Sequence, residues 1–100
     1  MVQLDLLVKL IISGRVQGVF FRRFVNIEAN KLGISGFVRN LYSGGVEVQA
    51  FHHDRSTLEK FVNKCRQGSF GSNITNIKQD WINVKDKEFL FSEFKIERTI

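Results

Sequence analysis

The sequence predicts an α+β fold of the split β-α-β type, an antiparallel sheet with two helices on one face. Three observations predict it. Two stretches of helically spaced apolar residues alternate with strand-like runs in the order β-α-β-β-α-β, followed by one more strand. The two middle strands are joined through a short glycine-containing turn. The length of 100 residues, 43% of them hydrophobic, fits a single domain spanning residues 1–100 with one core.

The elements follow in order. Residues 4–13 are rich in Val, Ile and Leu and read as a strand buried on both faces. Gly14 to Gly18 breaks that pattern. From about Phe21 the positions Phe21, Phe24/Val25, Glu28/Ala29 and Leu32 follow helical spacing, and Gly33 is a natural stop. Gly36 to Leu41 is a short apolar run, the second strand. Tyr42-Ser43-Gly44-Gly45 is a turn, after which Val46, Val48 and Ala50 alternate with Glu47, Gln49 and Phe51. Ser56-Thr57-Leu58-Glu59 has the spacing of a capping box, with Asp54 as the alternative N-cap. Leu58, Phe61, Val62 and Cys65 then form the apolar stripe of a helix ending near Gly68. Residues 69–76 read as a polar loop and Ile77 to Val84 as the fourth strand. Phe91 to Glu97 alternates as a final strand. This is the ferredoxin-like order, which hosts many unrelated functions.

Composition narrows the classes. Ten Phe and balanced charge exclude a disordered chain, and one cysteine excludes an internal disulfide or a thiolate zinc cluster. The formal charge of +5 favours anionic partners of some kind. The apolar start is interrupted by Asp5 and Lys9 and is too short to span a bilayer, so the expectation is a cytoplasmic protein with no membrane contact.

Two stretches carry chemistry. In Ser13-Gly14-Arg15-Val16-Gln17-Gly18-Val19-Phe20-Phe21-Arg22 a strand runs through a glycine-flanked loop straight into a helix. Free N–H groups at a helix start suit an anion, glycines let successive N–H groups converge, and Arg22 offers a planar fork to two oxygens. Spacing alone slightly favours a plain β-to-α turn with a solvated Arg. In Gly36-Phe37-Val38-Arg39-Asn40, strand alternation puts Phe37 and Arg39 on one face and Val38 and Asn40 on the other. An Asn there is a turn-former or a site amide.

Together the two stretches resemble the signatures of the acylphosphatase family. Ile12 through Arg22 matches the first signature at every constrained position. Gly36, Phe37, Val38, Arg39, Asn40, Gly44 and Val46 match the second, whose last glycine is His52 here. A Gly-Pro pair common in the family after the second helix is replaced by Gly68-Ser69. The resemblance implies hydrolysis of the carboxyl–phosphate anhydride of acyl phosphates to carboxylate and inorganic phosphate. It implies in-line attack by water, with no metal, no cofactor and no covalent intermediate. Arg22 would hold the phosphoryl oxygens together with the N–H groups of Gln17, Gly18, Val19, Phe20, Phe21 and Arg22. Asn40 would hold the attacking water. The implied partners are small acyl phosphates and phosphate, with no nucleic acid, and the chain is expected to be a monomer.

Other features read as structural. Cys65 lies on the apolar stripe of the second helix and reads as a core thiol; an Arg six residues later would make a cysteine phosphatase loop, but Gly71 stands there. His52, His53 and Asp54 are expected to point to alternating faces, which argues against a metal site. Arg15, Arg23, Lys31 and Arg39 read as a solvated basic face. Two competing functions share the element order. An RNA-recognition module would need exposed aromatics on its inner strands, where the third strand offers only Phe51 near its end. An acyl-phosphate-binding domain like that of hydrogenase-maturation proteins would belong to a much larger chain.

Overall fold

The computed structural model describes residues 5–84 and 92–100. Strand β1 (Asp5–Arg15) leads through a loop to helix α1 (Phe21–Lys31), followed by β2 (Ser35–Asn40) and β3 (Val46–His52). Helix α2 (Arg55–Gln67), β4 (Asn73–Val84) and β5 (Phe94–Ile96) complete the chain. The sheet order is β4-β1-β3-β2-β5. β1 pairs antiparallel with both β3 and β4, and β2 pairs antiparallel with β3. The four principal strands thus form the expected antiparallel sheet. β5 joins the outer edge of β2 in parallel, which makes the complete sheet mixed.

One core explains why both helices lie on the same face. Val8, Leu10 and Ile12 of β1, Val38 of β2, and Val46, Val48 and Ala50 of β3 share it with Phe21, Val25 and Ala29 of α1. Leu58, Phe61, Val62 and Cys65 of α2 close it from the other end. Phe94 anchors β5 by meeting Phe61 edge-on, with ring centroids 6.0 Å apart. The opposite face of β1 is less covered than its apolar sequence implies: Leu7 is buried, while Lys9 and Ile11 are exposed.

Several boundaries differ from the sequence expectation. β4 begins at Asn73, so residues 73–76 are strand rather than loop. They pair with Ser13, Gly14 and Arg15 across a register shift between Ser13 and Gly14, which also carries β1 on to Arg15. Helix α2 is capped by Asp54, not by a box starting at Ser56. Its carboxylate accepts from the Ser56 N–H and from the hydroxyls of Ser56 and Thr57. Those hydroxyls hold the Asp54 carboxyl below its ordinary value, that of Thr57 most strongly. Leu4 and Phe91, the expected outer ends of the first and last strands, lie outside the described residues.

Gly36 occupies a position no other residue fits well. Its φ is 141°, and a Cβ there would run into the backbone carbonyl of Gln49 on the neighbouring strand. Gly36→Ala is expected to destabilise the fold by about 3 kcal/mol, combining backbone strain with a forced shift of β2 against β3. Urea unfolding of the parent and variant checks this.

Candidate active site

The site is built where the β1–α1 loop meets the end of β2. Val16 and Phe21, both almost wholly buried, pin the two ends of the loop to the core. Between them Gly18 (φ 73°) and Phe20 (φ 57°) take left-handed backbone conformations. Phe20 is the N-cap of α1 and gives no side-chain cap bond. Among the described residues, none of the N–H groups of Gln17, Gly18, Val19, Phe20, Phe21 and Arg22 donates to a main-chain oxygen. A helix start left in this state concentrates positive potential on one side of the loop.

Two side chains hold the loop in place. The Gln17 amide donates to the Leu41 carbonyl at 2.8 Å and the Gly45 carbonyl at 2.9 Å, tying the loop to the β2–β3 turn. The Ser69 hydroxyl donates to the Val19 carbonyl at 3.3 Å from the far side. Gln17 was expected to act through its N–H; its side chain is also the strut between the two motif stretches. Its acceptors lie 24 and 28 residues away, so no local pattern reveals the tie.

Arg22 and Asn40 converge on one cavity. It has a volume of about 350 Å³ and is lined by Val16, Gly18, Phe20, Phe21, Arg22, Arg23, Asn40 and Ile96. Gln17 and Val19 belong to the same loop but do not line it. Arg22 is half-buried on the first turn of α1, and its guanidinium makes no ion pair among the described residues. Asn40 lies on the helix-facing side of β2, as alternation requires, because its strand neighbour Val38 is fully buried in the core. Its Oδ1 is buried and accepts no hydrogen bond among the described residues. A buried acceptor without a donor is uncommon and destabilising on its own account.

The chain end supports Asn40 in a way the sequence did not show. The Ile100 N–H donates to the Asn40 carbonyl at 3.2 Å, and the Tyr42 N–H donates to the Ile100 carbonyl at 2.7 Å. Glu97 likewise donates its N–H to the Val38 carbonyl at 2.8 Å. The backbone of Asn40 is thereby held from both edges of β2, while its side-chain amide has no hydrogen bond among the described residues.

The expected basic face is not one face. Arg23 lines the cavity, whereas Arg39 lies on the opposite side of the sheet. There it bonds Glu47 at 2.7 Å and sits 4.9 Å above the Phe37 ring, which also places Phe37 and Arg39 together as alternation predicts. Lys31 lies 3.7 Å from Glu28. His52 and His53 do not diverge. β3 ends at His52, and the two rings stack with centroids 4.3 Å apart. Burial, and then the neighbouring His53, lowers the His52 pKa. No group of three or more His, Cys, Asp or Glu side chains comes together to hold a metal ion among the described residues.

Cys65 is fully buried on α2, and burial pushes its thiol up to about 12. It is expected to resist iodoacetamide at pH 8 in the folded protein and to react fully in denaturing urea. Mass spectrometry of the alkylated chain checks this.

The chain is thus an α+β domain of the split β-α-β class, with Arg22, Asn40 and the loop residues Gly18, Phe20 and Phe21 around one cavity. The family profile described as Acylphosphatase matches residues 8–96. An acylphosphatase from Borrelia garinii subsp. bavariensis is 41% identical over 85 residues, covering 85% of this chain and 90% of the relative. The crystal structure of acylphosphatase from Bacillus subtilis superposes with a TM-score of 0.82 at 36% identity, covering 92% of this chain and 98% of that one. Full-length HypF in a phosphate- and nucleotide-bound form is similar at 30% identity and a TM-score of 0.78, over 95% of this chain but 12% of its own. The chain belongs to the acylphosphatase family, hydrolases acting on acyl phosphates. No described helix is long and apolar enough to cross a membrane.

Proposed function

We propose that the chain hydrolyses acyl phosphates by direct in-line attack of water on phosphorus, without metal, cofactor or covalent intermediate. The observation that carries this reading is the convergence of Arg22 with Asn40 on one cavity, with the Asn40 Oδ1 buried and unpartnered among the described residues. Arg22 grips two phosphoryl oxygens through its planar fork. The loop N–H groups at the cavity, those of Gly18, Phe20, Phe21 and Arg22, take up the charge that spreads over the equatorial oxygens in the transition state. The Asn40 Oδ1 accepts a hydrogen bond from the attacking water and fixes its approach.

This small set of groups is chemically sufficient. The bond that breaks runs from phosphorus to the carboxyl oxygen, and the leaving group is a carboxylate. Its conjugate acid has a pKa near ~4–5, like Asp or Glu, so it departs without a general acid. The water forms the new bond to phosphorus and loses its proton to the phosphate product or to solvent. The domain acts as one unit over residues 1–100, as a cytoplasmic monomer, and its partners are the acyl phosphate and inorganic phosphate.

Purified protein in EDTA is expected to hydrolyse benzoyl phosphate with saturation kinetics and competitive inhibition by inorganic phosphate. A folded chain that gives no turnover under these conditions overturns the reading.

A further inference from the structure

The cavity has two walls of different chemistry. Gly18, Arg22 and Asn40 make the polar one, while Phe20 and Ile96 stand out among the apolar lining residues because neither is spent on the core. Phe20 is 81% exposed and Ile96 is 45% exposed. Ile96 pairs in register with Val38, so it faces the same side of the sheet as Asn40. Phe20 holds a left-handed backbone conformation at φ 57° that Gly or Asn adopts more readily, and its ring has no partner ring among the described residues. Phe20 thus places a large apolar residue at the rim of the cavity, in the β1–α1 loop and outside the core.

Resting on the acylphosphatase reading, we propose that Phe20 and Ile96 form an apolar acyl subsite, so that this chain prefers acyl phosphates with an aromatic or bulky apolar acyl group. Such a substrate is amphipathic in the same sense as the cavity. Its phosphoryl end needs charge and N–H donors, and its acyl end gains by leaving water against an apolar wall. A short acyl group such as acetyl reaches little of that wall.

The test is the ratio of kcat/KM for benzoyl phosphate to that for acetyl phosphate, measured in the parent, Phe20→Asn, Phe20→Leu and Ile96→Ser. Asn suits the left-handed backbone and removes the apolar surface. Damage to the oxyanion loop lowers both substrates alike and cancels in the ratio, and their difference in intrinsic reactivity cancels when a variant's ratio is compared with the parent's. The ratio is expected to fall about tenfold in Phe20→Asn and severalfold in Ile96→Ser, while Phe20→Leu retains most of it. A Phe20→Asn ratio within about twofold of the parent overturns the acyl subsite while leaving the hydrolase reading intact. A parent that hydrolyses neither substrate overturns the hydrolase reading on which it rests.

Discussion

Replacing Arg22 with Ala is expected to lower kcat/KM for benzoyl phosphate by about 10³- to 10⁵-fold, the range set by arginines that stabilise phosphoryl-transfer transition states. The physical reason is the position of the guanidinium. It is half-buried beside a helix start and has no carboxylate partner among the described residues, so its charge is not already neutralised. Two opposite unit charges about 4 Å apart attract by about 4 kcal/mol at an effective dielectric near 20, which alone is about a thousandfold. Inorganic phosphate is expected to inhibit the variant much more weakly, because Arg22 meets the ground state as well as the transition state. Arg22→Lys keeps the charge but loses the two-pronged geometry, and rescue is expected to be small. Steady-state kinetics with phosphate inhibition checks all three statements.

Asn40→Ala is expected to separate binding from turnover. Its kcat should fall by about 10²- to 10³-fold, the loss typical when one oriented polar group of an active site is removed. Phosphate inhibition should change little, since the amide is assigned to the water and not to the phosphoryl oxygens. The same change should leave the melting temperature unchanged or raise it, because the Asn40 Oδ1 is a buried acceptor with no donor among the described residues. A merely structural Asn would behave in the opposite way, losing stability first. Asn40→Asp is expected to be slower still, since a carboxylate beside the dianionic phosphoryl group repels it. A stopped assay for kcat and a thermal melt on the same preparations decide between the two roles.

Much of this is legible in the sequence. The apolar stripes of α1 and α2 gave their buried faces, and Phe21, Val25, Ala29, Leu58, Phe61, Val62 and Cys65 all lie in the core. Strand alternation placed Asn40 with Val38 and Phe37 with Arg39. What escaped depends on contacts distant in sequence. Residues 73–76 are too polar to announce a strand and become one because they pair with Ser13, Gly14 and Arg15 across an irregular register. β5 shows its alternation but not its neighbour, and nothing local says that it lies parallel to β2. The Gln17 strut and the hold of Ile100 on Asn40 likewise join residues far apart along the chain. Arg39 looked like a solvated cation because its partner Glu47 sits on the adjacent strand.

The central claim is that the oxygen of water ends on phosphorus and not on the carbonyl carbon at the cavity shared by Arg22 and Asn40. A single turnover of benzoyl phosphate in ¹⁸O-labelled water, followed by mass spectrometry of both products, tests it most directly. The account predicts one labelled oxygen in inorganic phosphate and none in benzoate. Label in the benzoate would mean attack at the carbonyl carbon, and would contradict it.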